Sequence, residues 1–121
     1  MEVVAVIGAS SDSSRYAYKA MKMLSEYGHK AIPVHPREEE VLGQKVVHKL
    51  SELMGQKVDT INMYVNAAIS DKYEKDMIAL HPTRVIFNPG AENPKLARAL
   101  LDNGIAVENA CTLVLLSTNQ Y

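Results

Sequence analysis

Apolar residues follow two rhythms along this chain. Short runs such as Val3–Ile7 are almost wholly apolar, while longer segments place apolar residues every three or four positions. The first pattern suits strands buried on both faces, and the second suits amphipathic helices. The pattern predicts a strand over Val3–Ile7, then a helix from about Ser14 to Tyr27 that buries Ala17, Ala20, Met21 and Leu24. Ser13 or Ser14 is its expected N-cap, and Gly28 stops it. A second strand follows over Lys30–Val34. Its Pro33 cannot donate to a ladder, so the strand belongs near a sheet edge or has its end free.

Residues Arg37 to Gly43 read as charges followed by a turn, with Glu38 to Glu40 in a solvated turn. Val46 and Val47 are a candidate for a very short strand, and Ser51–Met54 reads as a helical turn. The third strand is expected over Val58–Val65, where Asn62 needs a hydrogen-bond partner if it is buried. Ser70 is read as the cap of a helix from Asp71 to Leu80, with Tyr73, Met77 and Leu80 as its buried row. The fourth strand is Arg84–Phe87. Asn93-Pro94 opens a helix through Leu101, with Leu96, Ala97, Leu100 and Leu101 facing inwards. Ile105–Val107 is the fifth strand, and Leu113–Leu116 a last apolar turn or strand. Helices alternate with strands and hairpins are nearly absent, so right-handed crossovers make the sheet parallel. The expected fold is α/β: a Rossmann-like three-layer sandwich on a parallel, doubly wound sheet of about five strands. Residues 1–121 form one domain.

Composition narrows the functions. A formal net charge of -1 gives no electrostatic case for nucleic acid or an anionic membrane. No apolar run approaches the roughly 20 residues that span a bilayer, and the N-terminus starts directly with a strand and lacks a basic leader. The single cysteine, Cys111, excludes an internal disulfide and fits a reducing cytoplasm.

In an open parallel sheet, ligands sit beyond the carboxyl ends of the strands. The residues there are small or polar: Gly8-Ala9-Ser10, His35-Pro36-Arg37, Asn66-Ala67-Ala68, Asn88-Pro89-Gly90-Ala91-Glu92-Asn93 and Glu108 to Thr112. Strand, glycine turn and helix N-terminus is a geometry that cradles nucleotide phosphates. A dinucleotide fingerprint is absent, because Ser10 and Ser13 stand at its second and third glycine positions. The acid that would hold the adenosine ribose is replaced by His35. His35 and Arg37 instead tolerate a phosphate on that ribose, as in coenzyme A or NADP. No catalytic set presents itself. His29, His48 and His81 share no metal spacing with Cys111, and neither a Gly-x-Ser-x-Gly elbow nor a Walker lysine is present. Cys111 is either a thiol at the groove mouth or an inert core thiol, and both readings stay open.

Taken together, Gly-Ala-Ser after the first strand, Pro-Val-x-Pro after the second, Gly43 a few residues on, and Pro-Gly-Ala after the fourth resemble a known family. These are the small stand-alone CoA-binding domain proteins, the YccU-like relatives of the CoA-binding domain of the succinyl-CoA synthetase alpha subunit. The resemblance implies that Gly8, Ala9 and Ser10 pack near the pyrophosphate, that Pro33, Val34, His35 and Pro36 lie near the adenosine end, and that Ala67, Pro89, Gly90, Glu92 and Cys111 complete the site. The loop chemistry itself adds Ser14, Arg37 and Asn93 as candidate binding residues. His35 stands where the family writes asparagine, and Thr112 where many members write proline. The implied function is binding of coenzyme A or an acyl-CoA without catalysis, since the synthetase keeps its phosphohistidine in another domain.

Two other readings compete. One is a small NADP- or NAD-using oxidoreductase or redox regulator, with Tyr64 or Tyr73 as proton donor. The other is a ligand-free interaction protein using Met21, Met23, Met54, Met63 and Met77. The expected partner is a small nucleotide-type ligand, and a homodimer or docking on a larger enzyme is compatible with a domain of this size.

Overall fold

The computed structural model describes residues 1–121. The chain forms β1 (Val3–Ile7), α1 (Tyr16–Glu26), β2 (Lys30–Val34), β3 (Glu40–Val41), β4 (Gln44–Lys45), a 3₁₀ turn at Leu50–Leu53, and β5 (Thr60–Met63). It continues through α2 (Ala67–Ser70), a 3₁₀ turn at Asp71–Tyr73, α3 (Glu74–Leu80), β6 (Arg84–Phe87), α4 (Pro94–Asp102), β7 (Ala106–Asn109) and α5 (Thr112–Ser117). The main sheet runs β2-β1-β5-β6-β7, with every pair parallel. The chain winds outward from β1 to β2, then crosses back to β5 on the other side of β1. The topological switch therefore lies between β1 and β5.

Strand alternation builds the two layers around the sheet. Ala5, Ile7, Ile61, Met63, Val85 and Phe87 join the core that contains Met77, Leu96 and Leu100 of α3 and α4. Val4, Val6 and Ala31 point the other way, into the core holding Ala17, Met21 and Leu24 of α1 and Leu116 of α5. Pro33 sits on an edge strand as its missing donor requires. Its carbonyl accepts from Val47 N–H at 2.9 Å, so Val46-Val47 reduces to a single bridge rather than a strand.

The α1/α5 face turns polar across β5 and β6. Register places Thr60 beside Arg84, and Asn62 beside Ile86. The Arg84 guanidinium donates to Thr60 Oγ1 at 3.0 Å, Glu2 Oε2 at 3.3 Å and Glu108 Oε1 at 3.2 Å. The Tyr121 ring lies 4.6 Å from it, a cation–π distance. Tyr121 donates its hydroxyl to Asn62 Oδ1 at 3.4 Å. Asn62 is fully buried and its Nδ2 has no protein partner, so the need for a partner is only half met.

Several boundaries differ from expectation, each for a local reason. The α1 helix starts at Tyr16, with Arg15 in the capping position and no side-chain cap. Ser14 is drawn away, donating its hydroxyl to Asp12 Oδ1 at 2.7 Å within a turn that Asp12 also closes through Ser14 N–H. Residues 40–45 form a two-residue-turn hairpin in which Leu42 and Gly43 both take positive φ (49° and 77°), the signature of a tight hairpin turn. The third main strand is shorter than Val58–Val65. Asp59 precedes it and accepts Val3 N–H on Oδ2 at 2.8 Å, which holds the carboxyl below the usual carboxylate range.

Helix formation after β5 begins at Ala67, not beyond Ser70. Asn66 caps it by accepting Ile69 N–H at 3.0 Å, while Ser70 is buried inside the helix. Leu101 is exposed instead of inward-facing, and β7 extends to Asn109. Leu113–Leu116 lies within a helix.

Candidate functional site

The carboxyl ends of β1 and β5 open into a groove of about 590 Å³ at the topological switch. The β1–α1 loop forms one wall, and its geometry starts at Gly8. This residue takes φ +91°, a conformation that L side chains rarely adopt. A Cβ there would lie 2.8 Å from Val65 Cγ1 and 3.3 Å from the Tyr64 backbone. The glycine is thus required by conformation and by space together.

Donors in this loop can be accounted for one by one. Gly8 and Ala9 N–H both donate to Val34 O, at 3.0 and 3.3 Å. Asp12 N–H donates to Ser10 Oγ, and Ser14 N–H to Asp12 Oδ1, each at 3.0 Å. Ser11 N–H donates to Glu38 Oε2 at 2.5 Å. The N–H groups of Ser10 and Ser13 make no hydrogen bond within the protein. Ser10 thus lines the groove with an unpaired donor, beside one already held by a carboxylate. Glu38 is kept below the usual carboxylate range, first by that backbone donor and then by the Ser11 hydroxyl.

Opposite stands His35, whose Nδ1 accepts the N–H groups of Arg37 and Glu38, each at 3.0 Å. Accepting on Nδ1 places the neutral ring's proton on Nε2, where it is a donor. The Tyr64 phenol lines the far wall and is buried at its oxygen without a partner. Burial pushes it up to about 12. It is a neutral phenol near neutral pH.

Of the sequence-derived candidates, Gly8, Ala9, Ser10, His35, Pro89 and Gly90 line this groove. Val34 is fully buried beneath it and contributes its carbonyl to the loop. Ser14, Pro36 and Arg37 are exposed and outside the lining. Glu92 lies outside the lining and braces the loop between β6 and α4, accepting Gly90 N–H at 2.8 Å. Asn93 is 4% exposed and caps α4 through Leu96 N–H. Its Nδ2 donates to Ser70 Oγ at 2.8 Å and Ala67 O at 3.3 Å. Ala67 and Asn93 thus meet each other behind the groove. Cys111 is half-buried before α5 and outside the lining.

Sequence reasoning passed over Asp12, Arg15, Tyr16, Tyr64 and Val65 as groove residues; Glu38 is part-exposed, as a solvated turn requires, but it also lines the groove. Tyr64 and Val65 were findable, because the residue that follows a strand at the switch faces the ligand side. Glu38 was not, since its contact spans 27 positions. No cluster of three His, Cys, Asp or Glu side chains is placed to hold a metal ion, and no helix is long and apolar enough to cross a membrane.

Residues 2–117 match the CoA binding domain family. The chain belongs to that family. This CoA-binding domain is 46% identical over 54 residues to the acetate–CoA ligase (ADP-forming) II alpha subunit of Pyrococcus furiosus, a stretch covering 44% of this chain and 12% of that protein. It is 34% identical over 61 residues to the uncharacterised protein YneT of Bacillus subtilis, covering 50% of this chain and 44% of the relative. The matches thus span less than half the length of either curated relative. An uncharacterised protein of known crystal structure superposes with a TM-score of 0.93 at 37% identity, covering 100% of this chain and 98% of that one. A dinucleotide-forming acetyl-coenzyme A synthetase from Ca. Korarchaeum cryptofilum shares the fold, with a TM-score of 0.75 over 90% of the CoA-binding domain and 25% of the synthetase.

Proposed function

We propose that this domain binds coenzyme A or an acyl-CoA in the groove between the β1 and β5 ends, as a binding module that carries out no reaction itself. One observation supports this reading: at the topological switch, next to the left-handed Gly8, the groove is lined by Ser10, whose N–H has no partner within the protein. A phosphate oxygen satisfies such a donor, and the family and the P. furiosus ligase subunit supply the kind of ligand. The His35 Nε2–H adds a second donor. The groove's ionisable groups are Asp12, Arg15, His35, Glu38 and Tyr64, and no hydroxyl or thiol among its residues hydrogen-bonds a histidine, the pairing that most often activates a nucleophile. An acyl chain would be carried, with chemistry supplied by a partner enzyme or none.

Glu38 supports a second reading. A carboxylate facing the glycine turn is how dinucleotide sites hold unphosphorylated ribose, which favours NAD. Isothermal calorimetry with coenzyme A, dephospho-coenzyme A, NAD and NADP separates the two. Micromolar binding of coenzyme A is the expected result, about −8 kcal/mol, weakening when the ribose phosphate is removed. Binding of NAD with silence from coenzyme A would establish the second reading. Silence from all four would leave the groove as architecture of an interaction protein.

A further inference from the structure

Glu38 belongs to a run of three acids, yet it is held quite differently from its neighbours. Its N–H donates to His35 Nδ1 at 3.0 Å, and its carbonyl contacts His48 Nε2 at 3.0 Å. Pinned on both sides, its backbone aims the side chain across the groove to Ser11 N–H, 27 residues away. Glu39 and Glu40 are exposed. A flexible solvated acid gains little from such a contact, so the two histidines fix a carboxylate where the loop offers backbone donors to an anion.

We infer that Glu38 is a built-in competitor for the phosphate-binding loop: in the empty groove its carboxylate holds the Ser11 donor, and a pyrophosphate ligand must displace it to bind. The inference rests on the groove being the nucleotide site. It makes Glu38 a residue that sets affinity, through the donor it withholds and through repulsion of the ligand's own charge. Ligands without phosphate do not need that donor and escape the competition.

The test is calorimetry of wild type, E38Q and E38A with coenzyme A, ADP and adenosine. Glutamine keeps an acceptor for Ser11 N–H without the charge, and alanine removes both. Both variants are expected to bind coenzyme A and ADP about tenfold more tightly than wild type, the scale of one solvent-screened charge repulsion. Adenosine affinity stays unchanged. Weaker binding by E38A with wild-type binding by E38Q would overturn the inference and make Glu38 a brace for the loop. Weaker binding by both would overturn it in favour of a direct contact to ribose hydroxyls. If coenzyme A binds none of the proteins but ADP binds the variants more tightly, the competitor stands and the coenzyme A reading falls. If no phosphate ligand binds any of the three, both fall.

Discussion

Gly8→Ala is expected to destabilise the domain by about 2–4 kcal/mol, combining left-handed strain with overpacking. The melting temperature should drop by roughly 10 °C, judged from domains near this size. The strain arises because φ is +91°, and the overpacking because the new methyl meets Val65 Cγ1 at 2.8 Å. The Val65 side chain can rotate aside, but the Tyr64 backbone at 3.3 Å cannot. Gly90→Ala is the matching control: it too has positive φ, +89°, yet nothing lies within 4 Å of the added carbon. It should show the strain alone, about 1–2 kcal/mol. Paired denaturant melts separate the two contributions. Coenzyme A affinity of Gly8→Ala, measured where the protein remains folded, should fall by about a hundredfold as the loop retreats from its ligand position. Equal stability losses at Gly8 and Gly90 would show that the close approach to Val65 does not matter.

Asn88→Ala is the second large effect, again about 2–4 kcal/mol, from two lost hydrogen bonds and an orphaned buried donor. Asn88 is 2% exposed; it donates to Met63 O at 3.2 Å and accepts Thr112 N–H at 2.7 Å. One side chain thus ties the end of β5 to the start of α5 and fixes the loop carrying Pro89 and Gly90 into the groove. Thermal melts check the size of the effect, and a loss below about 1 kcal/mol, the scale of one ordinary hydrogen bond, would remove this double tie from the account.

How much of this was legible in the sequence follows the range of the interaction. The strand Val3–Ile7 announces itself in an unbroken apolar run, Lys30–Val34 and Arg84–Phe87 in shorter runs behind one leading cation, and Pro33 points to the edge it occupies. The Asn93-Pro94 start of α4 was equally clear, because cap and proline act within one turn. By contrast, α2 is a single turn with no apolar period, opened by an asparagine that also reads as a loop residue. The Val-Leu-Leu run of α5 is ambiguous between strand and helix until Asn88, 24 residues earlier, captures Thr112 N–H. Glu38 illustrates the same limit within the candidate site. Its neighbours suggest solvent, and only the folded approach of two loops gives it Ser11.

The composition of the groove wall has an optical consequence. The chain holds six tyrosines and no tryptophan, so its intrinsic near-ultraviolet emission is tyrosine emission alone. Two of the six, Tyr16 on the rim and Tyr64 on the far wall, border the same cavity. Any occupant changes the surroundings of a third of the chain's fluorophores at once. Filling of the site is therefore readable as a spectral change in the unlabelled protein, against a background free of indole light.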